Sequence, residues 1–296
     1  MTATDLIPDF LRYRADVALP TARDAAVRAA YTRGRVQGMQ DAMRHMFHRH
    51  VVDVPVATRP LFLAPHPDDI IIGCGGTLQK YLAANVSVRL AYLTDGRAAA
   101  TDTKEQQDMA DTRAREADAV STHLGLPAPH QFGWDETTMC DSRYFGERVR
   151  ELADLLSEVQ PDAVFVPYLW DQHGDHRVAN YLLARAMRRA RHYPRVYGYE
   201  VWSVAPPGVV VDISEQLEGK MELIRLYESQ LKLFPYEQMI DIANRTRASL
   251  VGPWCSAAEA FTQFDGAAFC DVVDEVDLIS PETVHNEVLT TPPSTW

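Results

Sequence analysis

Apolar residues arrive along this chain in two rhythms. Short unbroken runs recur at Leu61-Phe62-Leu63-Ala64, within Val86 to Thr94, at Ala163-Val164-Phe165-Val166, within Pro194 to Trp202, and at Val209-Val210-Val211. Runs of this length predict buried strands, with a short strand also expected near His130 to Phe132. Between them lie segments of helical period: Gly76 to Ala84, Lys104 to His123 (stopped by Gly125 and Pro127), Arg143 to Val159, Arg177 to Ala190, and Ser214 to Leu231 with Ser214 as a cap. Strand alternating with helix predicts an α/β fold, a mostly parallel sheet with helices on both faces.

The ends of the chain read differently. Thr21 to His50 has no proline, and Val27, Ala30, Tyr31, Val36, Met39, Met43, Met46 and Phe47 recur mostly at three- and four-residue steps. That predicts a long amphipathic helix laid on the main domain or on a second subunit of a homo-oligomer. Its basic end carries His45, His48 and His50, but Arg44 and Arg49 would repel a cation, and Asp41 and Asp53 lie outside the cluster. From Ile279 onward, Pro281, Pro292 and Pro293 break any period and predict an extended arm. The expected division is an N-terminal helical extension over 1–57, one enzymatic domain over 58–278 and an arm over 279–296, without internal repeats or a low-complexity linker.

Composition narrows the field slightly. The 46% hydrophobic and 24% charged content is that of an ordinary globular chain. A net charge of -12 speaks against a general nucleic-acid or anionic-membrane binder, since phosphate neutralisation needs clustered Lys and Arg. No apolar run approaches the ~18 residues of a spanning helix, and Met1 to Pro20 lacks the apolar stretch of a secretory signal, so neither membrane insertion nor export is expected and the cytoplasm is the expected compartment. Cys74, Cys140, Cys255 and Cys270 form no CxxC pair and read as reduced, buried thiols.

The chemistry collects at two strand ends. Pro65-His66-Pro67-Asp68-Asp69 follows the first apolar run and leads into Gly73-Cys74-Gly75-Gly76-Thr77. Asp171-Gln172-His173-Gly174-Asp175-His176 follows the run that ends at Pro167. Parallel α/β sheets gather their ligands beyond the carboxyl ends of the strands, so the two clusters are expected to meet. His66, Asp69 and His176 are a donor set suited to a catalytic Zn²⁺ or another divalent metal, with a position left open. Asp68 is adjacent but turned away, and suits a general base that later acts as acid. His173 can face the metal from the other side and stabilise an oxyanion, its ring held by Asp175 or Asp171. The plainer reading of Asp175 is a cap for the helix that follows.

These residues resemble the two motifs of the zinc-dependent N-deacetylases of the LmbE-like, or PIG-L, family. The resemblance continues through Leu93-Thr94-Asp95-Gly96, Arg113 with Glu116, Leu124-Gly125, Tyr227-Glu228-Ser229-Gln230 and Ala258-Glu259-Ala260-Phe261, covering about Pro60 to Phe264. It implies a Rossmann-like fold, zinc on His66, Asp69 and His176, Asp68 as base, and hydrolysis of an N-acetyl or small N-acyl group from an amino sugar or a natural-product intermediate. Two departures stand out: Ile70, where the family often has glutamate, and Asp171, where some sugar-thiol members have tyrosine.

For the N-acylated small-molecule substrate, Arg97, Asp171 and Trp170 are the expected contacts, since all three follow strands on the active edge. The competing expectation is a non-catalytic metal-binding or scaffold module, which would have no use for Asp68. A dinucleotide enzyme is excluded because His66-Pro67-Asp68-Asp69 occupies the turn where a G-x-G-x-x-G loop would be.

Overall fold

The computed structural model describes residues 50–100 and 102–275. The expected helix over Thr21 to Arg49 and the arm from Ile279 lie outside the described residues. His50, the last residue of that expected helix, instead opens strand β1 (His50–Val52).

The remaining elements follow the expected alternation: β2 (Pro60–Ala64), α1 (Asp69–Ala83), β3 (Arg89–Thr94), α2 (Thr103–His123), β4 (His130–Trp134), α3 (Phe145–Val159), β5 (Ala163–Pro167), α4 (Gly174–Ala190), β6 (Arg195–Tyr199) and β7 (Val209–Asp212). Beyond β7 come α5 (Leu217–Ile224), α6 (Glu228–Leu231), α7 (Tyr236–Ala248), β8 (Ala258–Phe264) and α8 (Gly266–Glu275). The single helix expected over Ser214 to Leu231 is thus broken into α5 and α6, and β8 and its flanking helices had no clear periodic signal.

Among the described residues the strands form one sheet in the order β1-β7-β8-β6-β5-β2-β3-β4. All pairings are parallel except those of β8 with β6 and β7. The apolar runs are continuous because both faces are covered. Leu61, Leu63, Val164 and Val166 pack under α3, α4 and α8, whereas Phe62, Ala64, Ala163 and Phe165 pack under α1, α2 and α5. No helix of the described residues is long and apolar enough to cross a membrane, and all four cysteines are free and buried.

Strand β2 has β3 on one side and β5 on the other, so successive connections leave it in opposite directions. This is the topological switch point, where the loops beyond the strands must diverge and leave a crevice. The opposite ends of β2 and β5 are tied by the Asp162 carboxylate, which accepts from Thr58 N (2.7 Å), Thr58 Oγ1 (2.6 Å) and Arg59 N (2.9 Å).

Helix α1 is pressed unusually close to the sheet. A Cβ at Gly73 would lie 2.2 Å from the Tyr199 ring, and one at Gly76 would lie 2.7 Å from Ile213. The helix is also two segments joined at Cys74, whose φ of -147° is not helical. The second segment therefore needs its own cap, and Glu259 of β8 supplies it: Gly76 N and Thr77 N donate to its two carboxylate oxygens at 2.8 and 2.7 Å. Lys220 of α5 neutralises that carboxylate at 2.7 Å, with both side chains fully buried.

Two outcomes follow. Lys220→Met leaves Glu259 buried without its counter-charge and should lower unfolding free energy by about 3–5 kcal/mol in a urea titration; a loss below about 1 kcal/mol would show that the pair does not hold α1. Burial opposes ionisation of Asp162, but the Thr58 and Arg59 hydrogen bonds outweigh it and hold the carboxyl below its ordinary range. Its contribution is therefore whole above the unfolded value of ~3.9 and fades as pH falls through the folded one. The stability gap between wild type and Asp162→Asn should be open at pH 7 and largely closed near pH 3, and a constant gap would contradict the assignment.

Candidate active site

The loop after β2 is pinned at nearly every carbonyl. Pro65 O accepts from Thr94 N and Thr94 Oγ1, both at 2.9 Å, while Pro67 O accepts from Tyr227 Oη and Leu63 O from Tyr199 Oη. The turn is closed by Asp69, whose Oδ2 accepts from His66 N at 2.9 Å and lies 3.1 Å from His66 Nδ1. A three-residue separation across a helix start brings both side chains to the same side, as their spacing predicts.

The loop after β5 is organised by Asp171. Its Oδ1 accepts from His173 N at 2.9 Å and its Oδ2 from Trp202 N at 3.0 Å. Helix α4 begins just after His173, and Asn180 fixes its first turn by donating to His176 O (2.8 Å) and Pro167 O (2.9 Å).

The two loops converge on Asp69. Its second oxygen lies 3.3 Å from His176 Nε2, so one carboxylate stands between the two imidazoles. His176 Nδ1 is 3.3 Å from Asp171 Oδ1, yet both ring nitrogens are buried and make no hydrogen bond of adequate geometry. His66, His173 and His176 crowd together, with ring centroids 4.8 to 5.5 Å apart. Two donor sets could hold a metal ion, each with its ligand atoms within 4.8 Å of one another: His66, Asp69 and His176, or His66, His173 and Asp175.

Asp68 points away from this centre, as expected, and meets Arg113 of α2 in a buried ion pair. Burial pushes the Asp68 carboxyl up and Arg113 pulls it down, with a net upward shift. The neighbouring Asp69 is held well below its ordinary range, burial being outweighed by His176 and His66. Burial also disfavours a charged His176, but Asp69 and Asp171 overcome it and raise the ring to about 9. His173 goes the other way: burial outweighs Asp175 and brings it down to about 4. Its Nδ1 faces Asp175 N at 3.3 Å, an arrangement that leaves the ring proton on Nε2.

The side chain of Asp175 does not hold the His173 ring. Its Oδ2 lies 3.1 Å from His66 Nε2, and Cys140 Sγ donates to its Oδ1 at 3.3 Å. Asp171 likewise meets the His173 main chain rather than its ring. Each of the three residues expected at the substrate has structural partners. Asp171 is fully buried under His176 and bonded to the main chain. Arg97 is spent on Asp95 (2.7 Å from Nε) and Asp135 (3.1 Å), bracing the β3 and β4 loops together. Trp170 packs edgewise on Tyr168 and against the core below α4.

Glu136, in the short turn after β4, was not anticipated. Its Oε1 lies 3.1 Å from His66 Nε2, beside Asp175, and its Oε2 accepts from Ala98 N at 2.7 Å. The available signal was its place at the carboxyl end of a further parallel strand. Arg113 could be named only by resemblance, because a lone arginine in a charged helix has no distinguishing period.

Comparison with known proteins identifies a family and relatives of similar sequence and fold. Residues 61–187 match the PIG-L family, described as GlcNAc-PI de-N-acetylase. The chain is 29% identical to the diacetylchitobiose deacetylase of Thermococcus kodakarensis, over 57% of this chain and 69% of that one. It is 24% identical to the 1D-myo-inositol 2-acetamido-2-deoxy-alpha-D-glucopyranoside deacetylase of a Mycobacterium species, over 68% and 84% respectively. The N,N'-diacetylchitobiose deacetylase of Pyrococcus horikoshii superposes with a TM-score of 0.62 at 25% identity, covering 71% of this chain and 85% of that one. With its motifs assembled at the switch point of this α/β sheet, residues 61–187 form a domain of the PIG-L, or LmbE-like, family.

Proposed function

We propose that this chain is a zinc-dependent N-deacetylase acting on an amino-sugar-containing substrate. The observation that carries the reading is the joining of His66, Asp69 and His176 by one buried carboxylate, beside an acid, Asp68, that is not part of the set. The names of the relatives, which concern acetylated amino sugars, support the substrate class.

The donor set fits a divalent cation. Two imidazoles and a carboxylate are a common catalytic zinc set, and the unbonded nitrogens of His176 are a buried cost that a cation would relieve. The rival set, His66 with His173 and Asp175, fits less well, because His173 Nδ1 already accepts from the Asp175 amide whereas neither ring nitrogen of His176 has a hydrogen-bond partner. Zinc held by His66, Asp69 and His176 would supply Lewis-acid polarisation and lower the pKa of a nearby water toward ~7.

The protein's own groups do the rest. Arg113 bonds Asp68 Oδ1 and fixes the carboxylate, while burial makes it a stronger base than an exposed aspartate. Asp68 takes the proton of the attacking water and returns it to the departing amine. Neutral His173 donates from Nε2 to the oxyanion that develops on the acyl carbon. Asp175 and Glu136 accept from His66 Nε2 and set its tautomer, as Asp171 faces His176 Nδ1.

Elemental analysis of zinc-loaded, dialysed variants, paired with acetate release from N-acetyl amino sugars and their conjugates, tests the assignment. Asp68→Asn should retain zinc and lose about 10²–10⁴ of the rate. His176→Ala should lose zinc, whereas His173→Ala should retain it and react slowly. Wild-type turnover by Asp68→Asn would refute the base. Zinc retained by His176→Ala and lost by His173→Ala would move the metal to the rival set.

A further inference from the structure

The break between α5 and α6, where the sequence predicts one continuous helix, has a use. Tyr227 lies at the break with a φ of -88° and a ψ of 58°, outside the helical region. In an unbroken helix, residues two apart point about 200° away from each other, so Tyr227 and Ser229 could not serve one neighbourhood. With the chain turned at Tyr227, one reaches the loop that carries Asp68 and the other reaches the helix that carries Arg113.

Tyr227 is fully buried, and its Oη donates to Pro67 O at 2.5 Å. That carbonyl belongs to the peptide joining Pro67 to Asp68. The following peptide is held as well, since Asp68 O accepts from Ile71 N and Ile72 N, both at 3.0 Å. With the planar peptides on both sides fixed, the direction in which Asp68 projects its side chain is fixed too. The metal-set side of the same turn has separate anchors: Thr94 Oγ1 donates to Pro65 O, and His66 N donates to Asp69 Oδ2. Tyr227 therefore bears on Asp68 more than on His66 and Asp69.

Ser229 bears on the partner of that carboxylate. Its N donates to Glu116 Oε1 at 2.8 Å and its Oγ to Glu116 Oε2 at 2.7 Å. Glu116 and Arg113 are three apart on α2, so they share one face of the helix, and both are buried. Gripping Glu116 by both oxygens holds α2 where it presents the Arg113 guanidinium to Asp68. Two residues of one short segment thus hold the two ends of a single buried ion pair.

Resting on the deacetylase reading, in which Asp68 is the base, we propose that Tyr227 and Ser229 are positioning residues. Together they form a strut that sets the Asp68 carboxylate and the Arg113 guanidinium relative to each other, and so aims the base at the attacking water. Both act through that pair.

The test uses zinc-loaded full-length protein and acetate release from the β-1,4-linked disaccharide of N-acetylglucosamine. Tyr227→Phe removes only the donor and should lower kcat about 10- to 100-fold, the effect of a misaimed base, with KM and zinc content unchanged. Ser229→Ala should lower kcat about 3- to 10-fold, since the Ser229 amide still holds Glu116, and Ser229→Thr should restore it. In the Asp68→Asn background, adding Tyr227→Phe should leave the residual rate where it was, because the route through the base is already closed. Wild-type kcat in Tyr227→Phe, the same fold-loss in both backgrounds, or a loss of zinc would overturn the inference, the last two by marking a general structural role. If wild-type protein releases acetate from neither the disaccharide nor other N-acetyl amino sugars, the deacetylase reading falls and a crystal structure of Tyr227→Phe decides the strut alone. Asp68 turned away from Arg113, with His66, Asp69 and His176 in place, upholds it; an unmoved Asp68 overturns it.

Discussion

One carboxylate, that of Asp69, joins the two halves of the site. One of its oxygens closes the β2 turn on His66 and the other faces His176 from the β5 loop. Neither loop alone brings together the two imidazoles of the set, His66 and His176. The arrangement requires β2 and β5 to be neighbours with their connections departing in opposite directions, which is what the strand order provides. The fold thus contributes a crevice, and the residues at its lips contribute the chemistry.

Placing so many ionisable groups under cover has to be offset elsewhere. Asp68 is paired with Arg113, Asp171 is satisfied by two main-chain amides, and Asp175 shares His66 Nε2 with Glu136. The nitrogens of His176 are the exception, buried without good hydrogen bonds, and this unsatisfied corner is where a cation has most to offer. Beneath the site, Glu259 and Lys220 do comparable work for the scaffold. They cap the second segment of a kinked helix whose glycines let it lie directly on the sheet.

Much of this was legible in the sequence. Runs such as Leu61 to Ala64 announce doubly covered strands, and His66, Asp68, Asp69, His173 and His176 stand at strand ends where function is expected. What remained hidden depends on tertiary partners. Arg97 has the right position for a substrate contact, but Asp95 and Asp135 claim its guanidinium from another loop. Asp171 turned inward because the Trp202 amide arrives from β6 to meet it. Glu136 comes from a segment with no periodic signature, and only the folded chain brings it near His66. The three-residue strand β1 is likewise invisible, since it exists by pairing with β7.

The central claim is that His66, Asp69 and His176 form one metal site at the switch point. Anomalous scattering at the zinc edge from crystals of zinc-loaded protein measures it most directly. The account predicts a single strong peak bounded by those three side chains, with Asp68 outside the coordination shell. A peak between His173 and Asp175, or none in this crevice, would contradict it.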